Sequence, residues 1–337
     1  MRYTLRLADT ALRLPHKRAQ ALLARDYLSW VRLEFLGAAS RLGLLAELVT
    51  PHTTAELAGR LGVTEAALFE AFLEVGRTAG ELGRTDGRWV LRGSRAKALA
   101  DPAVDGLAGI SEELTFYDAD VYDAAVRRLR GEAPGDYLPE HAAVVARASR
   151  AAEPLLRALL HRLVQERQPQ RVLEVGCGSG VNLRHVGESC TTVTGCGIEV
   201  EPEVVALAKA NLAAWDLDSR FEVREADVGD LPDDLAGPWD LVVLAQNIYY
   251  FAPADRPPLL ARLRALAPQG AVVIATAVAG LGDPVAANLD LVLRSTAGTY
   301  ALPTAQELRA DLSAAGFTTI DERRLAPFQP LRAFVAA

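Results

Sequence analysis

The run RVLEVGCGSG, residues 171–180, constrains the fold of this chain more than any other stretch. Val172, Leu173 and Val175 are apolar and partly β-branched, as a strand buried within a sheet requires. Glycines then follow on alternate positions, Gly176, Gly178 and Gly180. Glycine is needed where the backbone takes φ > 0 and where a ligand must reach main-chain atoms that a Cβ would shield. The pattern predicts a strand, a tight turn and a helix, the first βα unit of a parallel α/β sheet.

A glycine-rich first turn also serves nicotinamide and flavin enzymes, spaced G-x-G-x-x-G. Here the spacing is G-x-G-x-G, with Val181 and Asn182 beyond the third glycine. Glu174, two places before the first glycine, would repel a pyrophosphate and suits a cationic ligand better. The run from Glu174 to Gly180 resembles the first motif of class I S-adenosylmethionine (SAM)-dependent methyltransferases, E/D-x-G-x-G-x-G. That resemblance implies SAM as cofactor and S-adenosyl-L-homocysteine (SAH) as product. It also implies Glu174, Gly176, Cys177, Gly178 and Gly180 as cofactor-binding residues. On this motif alone another doubly wound α/β domain remains open.

The segments that follow keep the expected order. A run from Val193 to Ile198 ends in Glu199, and Pro202 then opens a helix. A carboxylate at the end of a second strand offers two adjacent oxygens to the ribose hydroxyls of an adenosyl group, so Glu199, with Val200 beside it, is assigned to the cofactor. A third strand around Phe221 and Val223 leads to Asp227 and Val228, which match the positions that read adenine in the family; Asp230 ranks second. The fourth strand, Asp240 to Ala245, opens on Gln246, Asn247, Tyr249 and Tyr250, expected to face methyl donor and acceptor. A helix, a strand, one capped helix from Thr304 to Ala315 and two strand-like runs, FTTIDERR and LRAFVAA, complete the pattern. The expected fold is α/β. It has a C-terminal Rossmann-like seven-stranded methyltransferase sheet, its last pairing antiparallel, and an N-terminal, mainly helical, winged-helix-like domain.

In the first hundred residues apolar positions recur at three-and-four spacing from Ala21 to Leu48, predicting amphipathic helices broken near Gly37 and Gly43. Thr53, Thr54 and Glu56 start a short helix, Thr64 a second, and Asp86-Gly87 signals a hairpin. Helix, helix and hairpin in that order invite a DNA-binding reading. A recognition helix needs Arg, Lys, Asn or Gln on its exposed face, whereas this one carries Glu65, Glu70 and Glu74 against Arg77. In the small-molecule O-methyltransferases that this arrangement resembles, such a domain dimerises and helps wall the substrate pocket. Trp30, Phe35, Leu36, Leu68 and Phe72 suit either a homodimer interface or the domain's own core.

The expected domains are residues 1–102, a helical connector over 103–168 with one break at GEAPGDYLPE, and a catalytic domain over 169–337. Resemblance assigns the connector to the pocket wall, with Tyr117 and Tyr122 as substrate residues. His141 is the titratable group there that can take a proton near neutral pH.

The 337 residues carry 36 Lys and Arg against 43 Asp and Glu, a formal charge of −7, which argues against a general nucleic-acid binder. Cys177, Cys190 and Cys196 lack the spacing of a zinc site or a disulfide framework, and no compact metal-ligand cluster is visible. No apolar run reaches a membrane span, and the opening MRYTLRLADTALRL is interrupted by charge, so a soluble cytoplasmic protein is expected.

Many related phenol O-methyltransferases place a histidine base after the fourth strand. Here QNIYYFAPADR has none, and Tyr250 stands near that position. Three acceptor chemistries remain. A carboxylate arrives ionised and needs only hydrogen bonds from Asn247, Tyr249 or Tyr250; a phenol or enol could give its proton to His141; carbon or nitrogen could instead be methylated. A SAM-binding regulator that contacts DNA is the remote alternative.

Overall fold

A computed structural model describes residues 15–327 and 330–337, so the amino-terminal run read above for charge lies outside the described residues. The chain divides into two compact units. One holds residues up to Asp123 together with Pro139–Ala151, the other Ala124–Leu138 and Ala152–Ala337. The connector expected over 103–168 is therefore not a body of its own.

The first unit is built on α1 (Lys17–Arg41), followed by α2 (Leu44–Glu47), α3 (Thr54–Leu61), α4 (Ala66–Thr78), a hairpin of β1 (Leu82–Thr85) and β2 (Arg88–Leu91), and α5 (Ser94–Leu99). Helices α6 (Asp105–Thr115), α7 (Tyr117–Leu129) and α8 (Leu138–Ser149) come next, α7 and α8 each crossing a unit boundary. Thr53 and Glu56 close the capping box at α3: the Glu56 amide donates to Thr53 Oγ1 at 3.3 Å and the Thr53 amide to Glu56 Oε2 at 2.7 Å. At α4 the cap is Glu65 rather than Thr64, and no side chain bonds the helix start. Asp86 and Gly87, both at positive φ, make the expected hairpin turn.

Gly37 does not break α1. A Cβ there would collide with Thr115 Oγ1 and stand 3.0 Å from the Ser111 carbonyl, so the glycine lets α6 cross α1 at close range. The break comes at Gly43, φ 78°, between α1 and α2. Phe35 and Leu36 are buried with Phe69, Leu73, Leu82 and Trp89 in this unit's core, whereas Trp30 and Leu68 are exposed. Phe116 interrupts the helical run between α6 and α7, a second break that composition did not mark.

The second unit is a seven-stranded sheet. Its strands are β3 (Arg171–Val175), β4 (Thr194–Glu199), β5 (Phe221–Glu225), β6 (Leu241–Ala245), β7 (Ala271–Ala277), β8 (Ile320–Arg324) and β9 (Leu331–Ala336), in the spatial order β5-β4-β3-β6-β7-β9-β8. The first five are parallel; β9 is antiparallel to both β7 and β8, one reversed pairing more than the sequence suggested. Alternation along β3 explains the layers. Val172 faces a core with α9 (Glu153–Arg167), α10 (Val181–Ser189) and α11 (Pro202–Ala214), through Leu160, Leu163, Val186, Ala208 and Leu212. Leu173 and Val175 face the other core, with Leu260 and Leu263 of α12 (Arg256–Leu266) and Leu308 and Leu312 of α14 (Ala305–Ala314). Thr304 and Glu307 cap α14 reciprocally, as expected. Helix α13 (Pro284–Ser295), started by Asp283, was not foreseen.

Candidate active site

The order β5-β4-β3-β6 is what assembles the site. From β3 the chain winds outward to β4 and β5, then returns to the opposite side of β3 as β6, which opens a crevice at the carboxyl ends of β3 and β6. Asp227, Glu199, the glycine turn and Asn247 follow the strand ends of β5, β4, β3 and β6, so they stand side by side in sheet order.

In the turn, Gly176, Gly178 and Gly180 all take positive φ, 65°, 52° and 80°. A Cβ at Gly176 would strike Asn247 Nδ2, while one at Gly178 would meet nothing within 4 Å, an open cradle of backbone. The Cys177 amide donates to the Ile198 carbonyl at 3.0 Å, and the Gly180 amide to Cys177 O at 2.9 Å. Cys177 is buried and points its thiol into protein, so it enters the site through its backbone. Cys190 and Cys196 are free thiols as well.

Glu199 holds the turn from β4. Its Oε2 accepts from the Gly178 amide at 3.0 Å and its Oε1 from the Val200 amide at 2.9 Å. Each oxygen keeps a second lone pair, the requirement for two vicinal hydroxyls. The Ala226 amide donates to the Glu199 carbonyl at 3.0 Å and ties the loop after β5 to the same point. In that loop Asp227 Oδ1 accepts from the Gly229 amide at 2.6 Å, and Val228 is buried. Arg262 of α12 clamps the loop by donating to the carbonyls of Val228, at 2.9 Å, and Gly229.

Glu174, at the end of β3, is enclosed by its neighbours. It is 2% exposed, and its Oε1 accepts from Asn182 Nδ2 of α10 at 2.7 Å. Its carboxyl is pushed up to about 8, chiefly by burial and further by the nearby Glu199 carboxylate. Asn247, expected at the substrate, donates from Nδ2 to the Val175 carbonyl at 2.6 Å and so braces the end of β3. Among the described residues Glu174 Oε2, Asn182 Oδ1 and Asn247 Oδ1 are buried acceptors without partners. Acceptors flanking an open glycine cradle, with two carboxyl groups close by, fit a cationic adenosyl donor and not a pyrophosphate.

The loop after β6 begins at Gln246, a non-glycine residue at φ 61°, whose amide donates to Ala275 O at 2.7 Å. The rings of Tyr249 and Tyr250 lie 5.2 Å apart, and Tyr250 is 43% exposed. Burial, with the Glu199 carboxylate, holds the Tyr250 hydroxyl above the ordinary phenol range, so at neutral pH it stays protonated and is suited to donate a hydrogen bond, not to take a proton. Behind the loop the buried Arg256 donates to Phe251 O at 3.2 Å and to Ala301 O at 2.5 Å. The roles of Asn182, Arg256 and Arg262 escaped the sequence reading, because their partners, Glu174, the Phe251 and Ala301 carbonyls and the Val228 and Gly229 carbonyls, lie on other elements and meet them only through packing.

His141 belongs to the first unit. The structure buries it completely, against the half-exposed position that a histidine after Pro139-Glu140 suggests. Its Nε2 stands 3.0 Å from Asp120 Oδ2, its ring meets Phe116 edge-on at 4.3 Å and stacks on Tyr117 at 5.1 Å. Tyr117 is buried beside it, while Tyr122 is exposed. Glu113, in the same unit, has its carboxyl pushed up to about 8 by burial and by Asp118.

Residues 148–322 match the family described as "Methyltransferase domain". The tRNA1(Val) (adenine(37)-N6)-methyltransferase of Yersinia enterocolitica serotype O:8 / biotype 1B is 33% identical over 97 residues, 28% of this chain and 38% of that protein. The matched segment thus spans well under half of that relative. Two solved structures cover nearly the whole chain. One, described as "PigF with SAH", superposes with a TM-score of 0.77 at 22% identity over 96% of this chain and 99% of the other. The mitomycin 7-O-methyltransferase MmcR superposes at 0.79 with 16% identity, over 95% and 97%. These two likenesses concern the fold.

Proposed function

Because the chain belongs to the methyltransferase domain family, we propose that it moves the methyl group of SAM to an oxygen atom of a small-molecule metabolite. The observation that carries this reading is the row of strand ends in which Glu199, the glycine turn and Asp227 adjoin, with unpartnered acceptors beside the turn. Glu199 is assigned to the ribose hydroxyls, Asp227 and the Val228 amide to adenine, and the turn from Gly176 to Gly180, with Gln246, to the rest of the donor.

Bound SAM supplies an electrophilic methyl on a sulfonium; the acceptor oxygen forms the new bond as the carbon–sulfur bond breaks, leaving SAH. Such a displacement needs alignment and exclusion of water more than acid–base help. Tyr250 serves it as a hydrogen-bond donor. A carboxylate acceptor needs no base, and for a phenol or enol the proposed proton acceptor is His141, its ring oriented by Asp120. A likeness in fold to a 7-O-methyltransferase supports oxygen over nitrogen or carbon.

Nucleic acid is not the proposed substrate. Helix α4 engages its own acidic side chains with Arg77 and Arg84. The tRNA-methyltransferase likeness is confined to a segment of 97 residues. Among the described residues no helix is long and apolar enough to cross a membrane. We propose a cytoplasmic homodimer of secondary metabolism, joined through α1, where Leu22, Leu23, Tyr27, Leu28 and Trp30 are exposed.

The test is SAM consumption with a panel of carboxylic acids, phenols, 2-oxo acids and amines, scored by product mass and ester lability. Oxygen-methylated products are expected. Turnover of amines alone, or products methylated on carbon, would overturn the oxygen assignment while leaving the donor in place.

A further inference from the structure

Glu174 is a carboxyl enclosed in protein at the centre of the sheet, and no basic side chain among the described residues pairs with it. Asn182 bonds one oxygen at 2.7 Å, and the other has no partner among the described residues. From β4 it feels the Glu199 carboxylate and from the turn the buried Cys177 thiol, itself raised far above its ordinary range; from α10 the side-chain amide of Asn182 and the backbone amide of Leu183 favour its charged form, but burial outweighs them. Strand β6 places Val243 beside it in register. A carboxylate so placed, next to a like charge, is unfavourable until a cation arrives, whereas the neutral acid is tolerated.

We propose that binding of SAM is coupled to loss of the Glu174 proton, the positive charge of the cofactor replacing it, with Asn182 as the residue that positions the carboxyl. The coupling rests on the assignment of SAM to this cleft. The proton passes to solvent; no bond in the cofactor changes. Cofactor-free protein keeps Glu174 neutral up to about pH 8, so affinity climbs as pH rises toward that value and levels off above it.

Titration calorimetry of the whole chain with SAM at pH 7, in phosphate and in Tris, counts the protons released. With the acid protonated at pH 7, wild type should release close to one proton per SAM more than Glu174→Gln does. The variant also corrects for titration of the amino group of SAM itself. Equal release by both proteins overturns the coupling; failure of wild type to bind SAM overturns the cofactor assignment instead. If Glu174→Gln does not fold, infrared difference spectra of wild type decide the matter. A protonated-carboxyl band should vanish on adding SAM, and its persistence refutes the proposal. Repeating the titration with SAH locates the responsible charge: release with both ligands points to the shared ammonium, release with SAM alone to the sulfonium.

Discussion

Substitution of Glu199 gives the sharpest test of the cofactor site, because both of its oxygens are already engaged by backbone. The Gly178 amide bonds one at 3.0 Å and the Val200 amide the other at 2.9 Å. Glu199→Ala removes those contacts and the two proposed for ribose. Hydrogen bonds to a charged group contribute roughly 1.5–3 kcal/mol each; at the lower end, fitting a half-exposed side chain, two ribose bonds come to about 3 kcal/mol, or about a hundredfold in affinity. Glu199→Gln is the informative comparison. Its NH2 must face one of two backbone N–H groups, donor against donor, so the amide should cost nearly as much as the truncation. Calorimetry with SAM reads both, and thermal denaturation of the cofactor-free variants separates misfolding from lost affinity. A glutamine variant within about threefold of wild type would refute the assignment, because the ribose contacts would then not depend on a doubly engaged carboxylate.

Arg256→Met should loosen the loop from Gln246 to Phe251 and lower stability by about 2–4 kcal/mol by urea denaturation, since it frees the Phe251 and Ala301 carbonyls from a buried donor; an unchanged midpoint would show that the guanidinium is dispensable. Gly37→Val should cost about 1–3 kcal/mol in the first unit, because its side chain has to displace Thr115 and the Ser111 carbonyl. A thermal scan matching wild type would mean that α6 can step away at no cost. Trp30→Glu, in an exposed position, should leave the fold intact and shift light-scattering mass from dimer toward monomer; an unshifted dimer would move the interface off α1.

The sequence made the catalytic sheet legible because its central strands are short, apolar and bounded by turn residues, and because glycine spacing ties one turn to one chemistry. The places of Glu199 and Asp227, at or just past the ends of consecutive strands, were legible from the apolar runs that precede them. What the sequence did not show is the contact of Glu174 with Asn182, set by the packing of α10 on the sheet. The bond from Asn247 to the Val175 carbonyl was hidden for the same reason, since it joins the ends of β3 and β6. Helix α13 was not read from the sequence, because its run, PVAANLDLVLRS, follows Gly280 and Gly282, residues that mark loop. The break expected at Gly37 failed because a small residue in a helix can mark a crossing as well as an end. The aspartate beside His141 lies 21 positions upstream, a distance at which no local pattern operates.

The reversed strand β9 also has a kinetic meaning. Strand β8 precedes it in the chain, yet β8 reaches the sheet only through β9, which lies between β7 and β8 with all six of its residues buried. Strand β8 can pair with β9, its neighbour in the chain, before either meets the sheet, but β7 keeps an open edge until residues 331–336 dock on it. That docking closes the long loop from β7 to β9, and until it happens the exposed edge of β7 is the place where nascent molecules can mispair with one another.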